Sequence, residues 1–262
     1  MALALLTAPQ IHARNDPSTA SADSSLALSA LPLASVSLVA ASTVAAGASV
    51  VGWDLSPAVA GTFDSPEWLG LQVDVTDEAA VIDALRAGVQ AFGGLDVLVV
   101  AAGIFPGAQH LTAMPMSTWR KVMAVNVDSV AMLYGLAQPL LALAPRGGRV
   151  VLIASKNVRA PGPGAAAYSA SKAAVTQLSR VAALEWAGDG IRVNMVHPDA
   201  VFDTGLWTPE LLAARAEHYG MSIEDYKRRN LLHAEVTSAD VGRMVRAMAD
   251  DTFACTTGAQ VP

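Results

Sequence analysis

The run VVLIASKNVRAPGPGAAAYSASKAAV, residues 150–175, decides how this chain is read. An apolar stretch leads into Ser155; Tyr168 follows thirteen residues later and Lys172 four after that. GRVVLIAS (148–155) reads as a buried strand and residues 165–187 as a helix. Helix positions four apart share a face, so Tyr168 and Lys172 project together, and the strand delivers Ser155 beside them. A free phenol titrates near ~10, and a cation a few ångströms away lowers that by roughly 1–3 units. Lys172 is therefore expected to bring Tyr168 into the range where it exchanges a proton with an alcohol or carbonyl oxygen. Ser155 would hydrogen-bond the same oxygen. No side chain accepts hydride, so such a site calls for a nicotinamide cofactor. Tyr-x-x-x-Lys alone is a weak signal, and an ordinary surface pair on an amphipathic helix is the bland alternative. The serine spacing and the small-residue run YSASKAAV make the combination specific.

Outward from this run, strands alternate with helices. ASVVGWD (48–54), LGLQVDVT (69–76), LDVLVVAAG (95–103), IRVNMVHP (191–198) and TTGAQV (256–261) read as strands. Helical spacing covers DEAAVIDALRAGVQAF (77–92), residues 117–144 with a bend expected near Pro139, and SADVGRMVRAMADD (238–251) with Ser238 as N-cap. Residues 209–232 read as short helices. This alternation predicts an α/β fold of one domain, a doubly wound parallel sheet of Rossmann type, with ligands beyond the carboxyl ends of the strands. Asp54, Asp74, Gly103 and Ser155 fall at those ends.

Composition narrows the classes. The chain has 262 residues, 53% hydrophobic and 15% charged, which suits one α/β domain with a large core. A net charge of −6 argues against nucleic acid or an anionic membrane surface as partner. Cys255 is the single cysteine and the five histidines show no ligand spacing, so neither a disulfide nor a metal site is expected. The start lacks a basic region ahead of an apolar stretch, which speaks against a signal peptide and leaves the cytoplasm as default location. The interval between Asp23 and Asp54 carries no charge and is long enough to raise a membrane span. Ser, Thr and Pro interrupt it, and no membrane association is expected.

The pattern of a strand-ending serine, about thirteen residues, and Tyr-x-x-x-Lys opening a helix resembles the short-chain dehydrogenase/reductase family, over about residues 44–262. The resemblance implies hydride transfer between NAD and a small hydroxy compound or an aldehyde or ketone. Ser155, Tyr168 and Lys172 would be catalytic and Asn126 would relay a proton toward the lysine; a satisfied buried asparagine is the alternative. Asp54 would bond the adenosine ribose and repel a 2′-phosphate, favouring NAD over NADP, although an exposed turn acid also fits that position. Asp74 and Val75 stand where the family contacts adenine, or serve as a strand-terminal cap. Ala101-Ala102-Gly103 replaces the family's Asn-Ala-Gly beside the cofactor. His197-Pro198-Asp199-Ala200-Val201 replaces a Pro-Gly segment facing the nicotinamide, with Pro198, Val201 and Thr204 as contacts and Asp199 a departure from glycine. Tyr168 and Lys172 would also touch the nicotinamide ribose. The segment after Thr204, with Trp207, Tyr219 and Tyr226, would form a substrate lid. There Arg228 and Arg229 either hold an anionic substrate group or form a solvated charged face. A homo-oligomer, dimer or tetramer, is implied as well. The strings SKNVRAPGPGAAAYSASKAA, HPDAVFDTGLW, YKRRNLL and TTGAQVP are similar to the dehydrogenase domain of bifunctional rhamnulose-phosphate aldolase/dehydrogenases, which implies lactaldehyde or a related small alcohol as substrate.

The resemblance breaks at the start. The family's first strand leads into a Gly-rich loop whose backbone faces the pyrophosphate. This chain has no glycine before Gly47. MALALLTA (1–8) passes for the first strand, but PQIHARNDPSTASADSS after it is no phosphate loop. SVSLVAA (35–41) leaves too little chain for a crossover. Residues 1–43 thus read as an atypical segment, disordered or an artefact of reading frame or gene start, and the domain as truncated in its last strand. A second functional reading follows: a dehydrogenase fold without a phosphate loop, acting as a non-catalytic oligomerisation module.

Overall fold

A computed structural model describes residues 2–7, 47–205 and 207–262 of the chain. Most of the atypical segment, and most of the uncharged interval that raised a membrane span, lie outside the described residues. Among those described, no helix is long and apolar enough to cross a membrane.

Seven strands form one sheet: β1 (Ala2–Thr7), β2 (Ser49–Asp54), β3 (Trp68–Gln72), β4 (Val97–Val100), β5 (Arg149–Ile153), β6 (Arg192–Val196) and β7 (Gln260–Val261), in the order β3-β2-β1-β4-β5-β6-β7. The apolar runs do what continuous runs must, since β4 is buried at every position and β2, β5 and β6 at all but one. Helices cover both faces. On one face, Val51, Leu98, Leu152 and Met195 pack against α1 (Glu78–Phe92), α3 (Ser129–Leu141) and α4 (Ala166–Glu185). On the other, Val50, Val99, Val151 and Val196 meet Val245 and Met248 of α7 (Ser238–Ala249). The remaining helices are α2 (Met116–Met123), α5 (Pro209–His218) and α6 (Ile223–Lys227).

Three local expectations are corrected. The long helix around 117–144 is interrupted at a π-helical turn, Ala124–Asp128, and not at Pro139, which sits in the last turn of α3. A π turn admits an extra residue into the helix and re-aims what it carries, and here it carries Asn126. The N-cap of α7 is Thr237, not Ser238. Thr237 and Asp240 form a reciprocal capping box, and Ser238 instead hydrogen-bonds Asp203 through its N–H and hydroxyl.

The third correction concerns β1. Residues 2–7 do occupy the central slot, but antiparallel to both neighbours, with Ala2 opposite Asp54 and Thr7 opposite Ser49. The other pairings are all parallel. A short strand can satisfy the inner edges of β2 and β4 in either direction, because both directions pair every backbone group. Thr7 lies at the amino edge of the parallel strands, so the chain leaving β1 starts away from the edge where Asp54 ends β2.

Candidate active site

The carboxyl ends of β2, β4, β5 and β6 open into a cleft of about 830 Å³. Ser155 leaves β5 in extended conformation (φ −167°) and is buried. Its Oγ accepts from the N–H of Asn157 (3.2 Å), which fixes the start of a short 3-10 turn. Tyr168 and Lys172 stand one turn apart at the start of α4. Tyr168 and Ser155 line the same cleft, and the Ser155 hydroxyl acts to lower the pKa of the phenol. Phe105 meets the tyrosine ring edge-to-face at 5.4 Å, walling it on the outer side.

Lys172 is buried, and its Nζ donates to the carbonyl of Ile153 at 2.8 Å. Burial lowers its pKa to about 8. The same burial raises the pKa of Tyr168, which the Ser155 hydroxyl only partly offsets. The expected lowering of the tyrosine by Lys172 is therefore not what this geometry produces. The ammonium lies 5.9 Å from the ring centroid and is committed to a strand carbonyl, so desolvation dominates. Tyr168 is held as a phenol, the form that donates a proton.

Asn126 sits behind the cleft rather than on its wall. Its Oδ1 accepts from the N–H of Ile104 (2.7 Å), and its Nδ2 donates to the Ile104 carbonyl (3.0 Å) and to Ser171 Oγ (3.0 Å). Ser171 donates in turn to the carbonyl of Tyr168 at 2.8 Å. The asparagine thus ties the backbone after β4 to the catalytic turn of α4. Gly103 completes this corner: a Cβ there would stand 3.3 Å from Lys172 Nζ and 3.5 Å from Asn126 Oδ1. A larger residue would crowd the lysine and narrow the cleft.

Asp54, Ala101, Gly103, Pro198, Val201 and Thr204 line the same cleft as Ser155, Tyr168 and Lys172. Asp54 is buried and its Oδ1 accepts from the N–H of Ser56 at 2.8 Å. Thr204 donates its hydroxyl to the Val201 carbonyl, 2.8 Å away. Ala102 is buried and points off the wall. Asp74 and Val75 also lie off it. Asp74 is exposed and accepts from the N–H and hydroxyl of Thr76, which lowers its pKa. The cap of α1 is Asp77, three residues on.

Two residues escaped the sequence reading. His197 is 2% exposed, and its Nδ1 donates to the Ser155 carbonyl at 3.0 Å. It braces the catalytic serine from the next strand. Lys156 pairs with Asp199 at 2.5 Å across the cleft rim. Both depend on neighbours more than forty positions away, although the departure at Asp199 was visible. Among the described residues no group of His, Cys, Asp or Glu is arranged to hold a metal.

A nicotinamide nucleotide fits one end of this cleft. Ser155, Tyr168, the buried lysine and the space kept by Gly103 all converge there. Asp54, the last residue of β2, lines the cleft as well. Between them, the described residues send no loop from β1 to this edge.

A doubly wound sheet with a Ser–Tyr–Lys group at its carboxyl edge defines a class of nicotinamide-linked oxidoreductases. A family model described as enoyl-(acyl carrier protein) reductase matches residues 37–262, and the chain belongs to the short-chain dehydrogenase/reductase family, whose members use a tyrosine in NAD(P)-dependent chemistry. It is 30% identical over 198 residues to an uncharacterized oxidoreductase of Bacillus subtilis, a match covering 74% of this chain and 29% of that protein. An uncharacterized NAD-dependent oxidoreductase of Mycobacterium tuberculosis is also 30% identical, over 74% of this chain and 70% of its own length. The fold is shared with sorbitol-6-phosphate 2-dehydrogenase from Erwinia amylovora, with a TM-score of 0.78 at 23% identity over 88% of this chain and 94% of that one.

Proposed function

We propose that this protein is an NAD-dependent dehydrogenase acting between a small hydroxy compound and the corresponding aldehyde or ketone. The meeting of Ser155, Tyr168 and the buried Lys172 in one cleft carries this reading. NAD, when bound, supplies the hydride acceptor. Ser155 and Tyr168 hold the reacting oxygen between two hydroxyls. In reduction Tyr168 donates the proton; in oxidation it receives one. Lys172 stays protonated below about pH 8 and stabilises negative charge on the phenol oxygen as the proton moves. Asn126 and His197 position this group, the first through Ile104 and Ser171, the second through the Ser155 carbonyl. Asp54 supports NAD over NADP, since a carboxylate repels a 2′-phosphate. The name of the Mycobacterium relative agrees with that preference.

For the substrate, lactaldehyde or a related small alcohol is the finer proposal. The Bacillus relative is far longer than the matched part, as a dehydrogenase domain within a larger protein would be. A cytoplasmic homo-oligomer completes the proposal. The test is a titration of the purified chain with NADH, followed by nicotinamide fluorescence, and a turnover panel of small alcohols and carbonyls. Absence of both binding and turnover would favour the second reading, a non-catalytic module. The antiparallel β1, which brings no glycine loop to the cleft, is the observation on that side.

A further inference from the structure

The catalytic floor leaves unused a cationic group on the opposite wall of the same cleft. Arg229 follows α6 and its side chain is 22% exposed. Its guanidinium lies 4.5 Å from the ring centroid of Tyr226 and 5.3 Å from that of Tyr219. The two rings stack on each other, 5.7 Å apart with planes inclined by 27°. A guanidinium held by its face keeps its N–H edge available in a fixed plane, the geometry that takes a carboxylate by two donors. The nearest anion, Asp199, is 3.7 Å from Arg229, too long for a hydrogen bond, and is drawn toward Lys156 at 2.5 Å. Arg215 of α5 lines the cleft too, and makes no ion pair among the described residues. The outer wall thus sets three cations (Lys156, Arg215 and Arg229) against one carboxylate, in a chain of net charge −6. Arg228, its sequence neighbour, is off the cleft wall, 56% exposed and loosely paired with Glu224 at 3.9 Å.

We propose that Arg229, with Arg215, receives the carboxylate of the substrate, so that the preferred substrate is a small hydroxy acid or its keto acid rather than a neutral alcohol. The inference rests on the dehydrogenase reading for the word substrate, and it narrows that reading away from uncharged lactaldehyde. Asp199 acts as the resident counter-ion. It keeps Lys156 engaged and Arg229 oriented until a second carboxylate arrives.

Binding is read by calorimetry on the full chain, without turnover, using 3-hydroxybutyrate and 4-hydroxybutyrate against their uncharged amides. At least one acid is expected to bind roughly 10- to 100-fold more tightly than its amide, the scale of charge-assisted hydrogen bonds. Arg229→Met and Arg215→Met should each remove most of that preference, and Arg228→Met should leave it intact. Arg229→Lys, which keeps the charge but loses the planar fork, should retain part of it and guards against a folding defect in the methionine variant. The inference is overturned if neither acid binds more tightly than its amide, or if Arg228→Met weakens the preference as much as Arg229→Met. An acid that binds but is never oxidised would leave the anion site standing and sink the dehydrogenase reading. Turnover of neutral alcohols with no acid preference would do the reverse.

Discussion

The two ends of the cleft are built differently. At the nicotinamide end, β4, β5 and β6 are parallel neighbours, and each hands a side chain or backbone group to the same point. Asn126, Ser171, His197 and Ile153 lock that point through buried hydrogen bonds. At the adenosine end, β2, paired with β3, supplies Asp54, but the strand between β2 and β4 runs the other way. The proton-transfer half is held from several directions; at the other end the described residues supply an acid and an antiparallel first strand. Each experiment below loads one end and leaves the other alone.

The largest effect belongs to the nicotinamide end. Tyr168→Phe removes the proton donor while keeping the ring against Phe105. Turnover should fall by about 10²- to 10⁴-fold, the usual contribution of a positioned acid or base. NADH affinity should stay nearly the same. A variant that keeps wild-type turnover would show that the Ser155–Tyr168 pair is not the proton donor.

The pH profile tests the same end more finely. Burial places the Lys172 pKa at about 8 rather than 10.5 and raises that of Tyr168. Carbonyl reduction needs both protons, so its kcat/KM should fall as pH rises through about 8, by roughly tenfold per unit beyond it. Lys172→Arg, always charged, should move that limb to higher pH. An alkaline limb near 10 in the unmodified chain would mean that the lysine is not desolvated as described. The stability contribution has the opposite slope. The folded pKa lies below the unfolded 10.5, so the cost of burying the ammonium is present below pH 8 and is relieved between about 8 and 10.5.

Asn126 separates a relay from a brace. Asn126→Ala strands the N–H and carbonyl of Ile104 and loosens Ser171. A brace predicts a loss of about 2 kcal/mol, roughly 4–8 °C in Tm for a domain of this size, together with slower turnover. A pure relay predicts slower turnover at unchanged Tm. Thermal unfolding followed by circular dichroism decides between them.

The nicotinamide end was legible because its signal is local. Ser155, Tyr168 and Lys172 lie within eighteen positions on one strand–helix unit, where spacing fixes direction. What spacing does not encode is environment. The lowered pKa of Lys172 and the raised pKa of Tyr168 both come from burial, so the net shift of the tyrosine runs opposite to the expected one. The direction of β1 was hidden for a related reason. The run ALALLT marks a strand, but hydrophobic pattern is the same read forward or backward. The missing glycines were the legible part of that anomaly. Likewise the sequence set Arg228 and Arg229 side by side as equals, and only the stack on Tyr219 and Tyr226 tells them apart.

The smallest effect belongs to the adenosine end. Asp54→Asn keeps an oxygen that can accept from the N–H of Ser56, so the turn after β2 should hold its shape. What changes is charge. A neutral side chain no longer repels a 2′-phosphate, and the ratio of kcat/KM for NADH over NADPH should drop by about tenfold, or ~1.4 kcal/mol. Because the substitution changes charge and keeps the Ser56 contact, it should act on the ratio more than on turnover with saturating NADH. A ratio that stays put would reduce Asp54 to the acid that pins Ser56, and would mean that the adenosine end contributes shape to the cleft without choosing its cofactor.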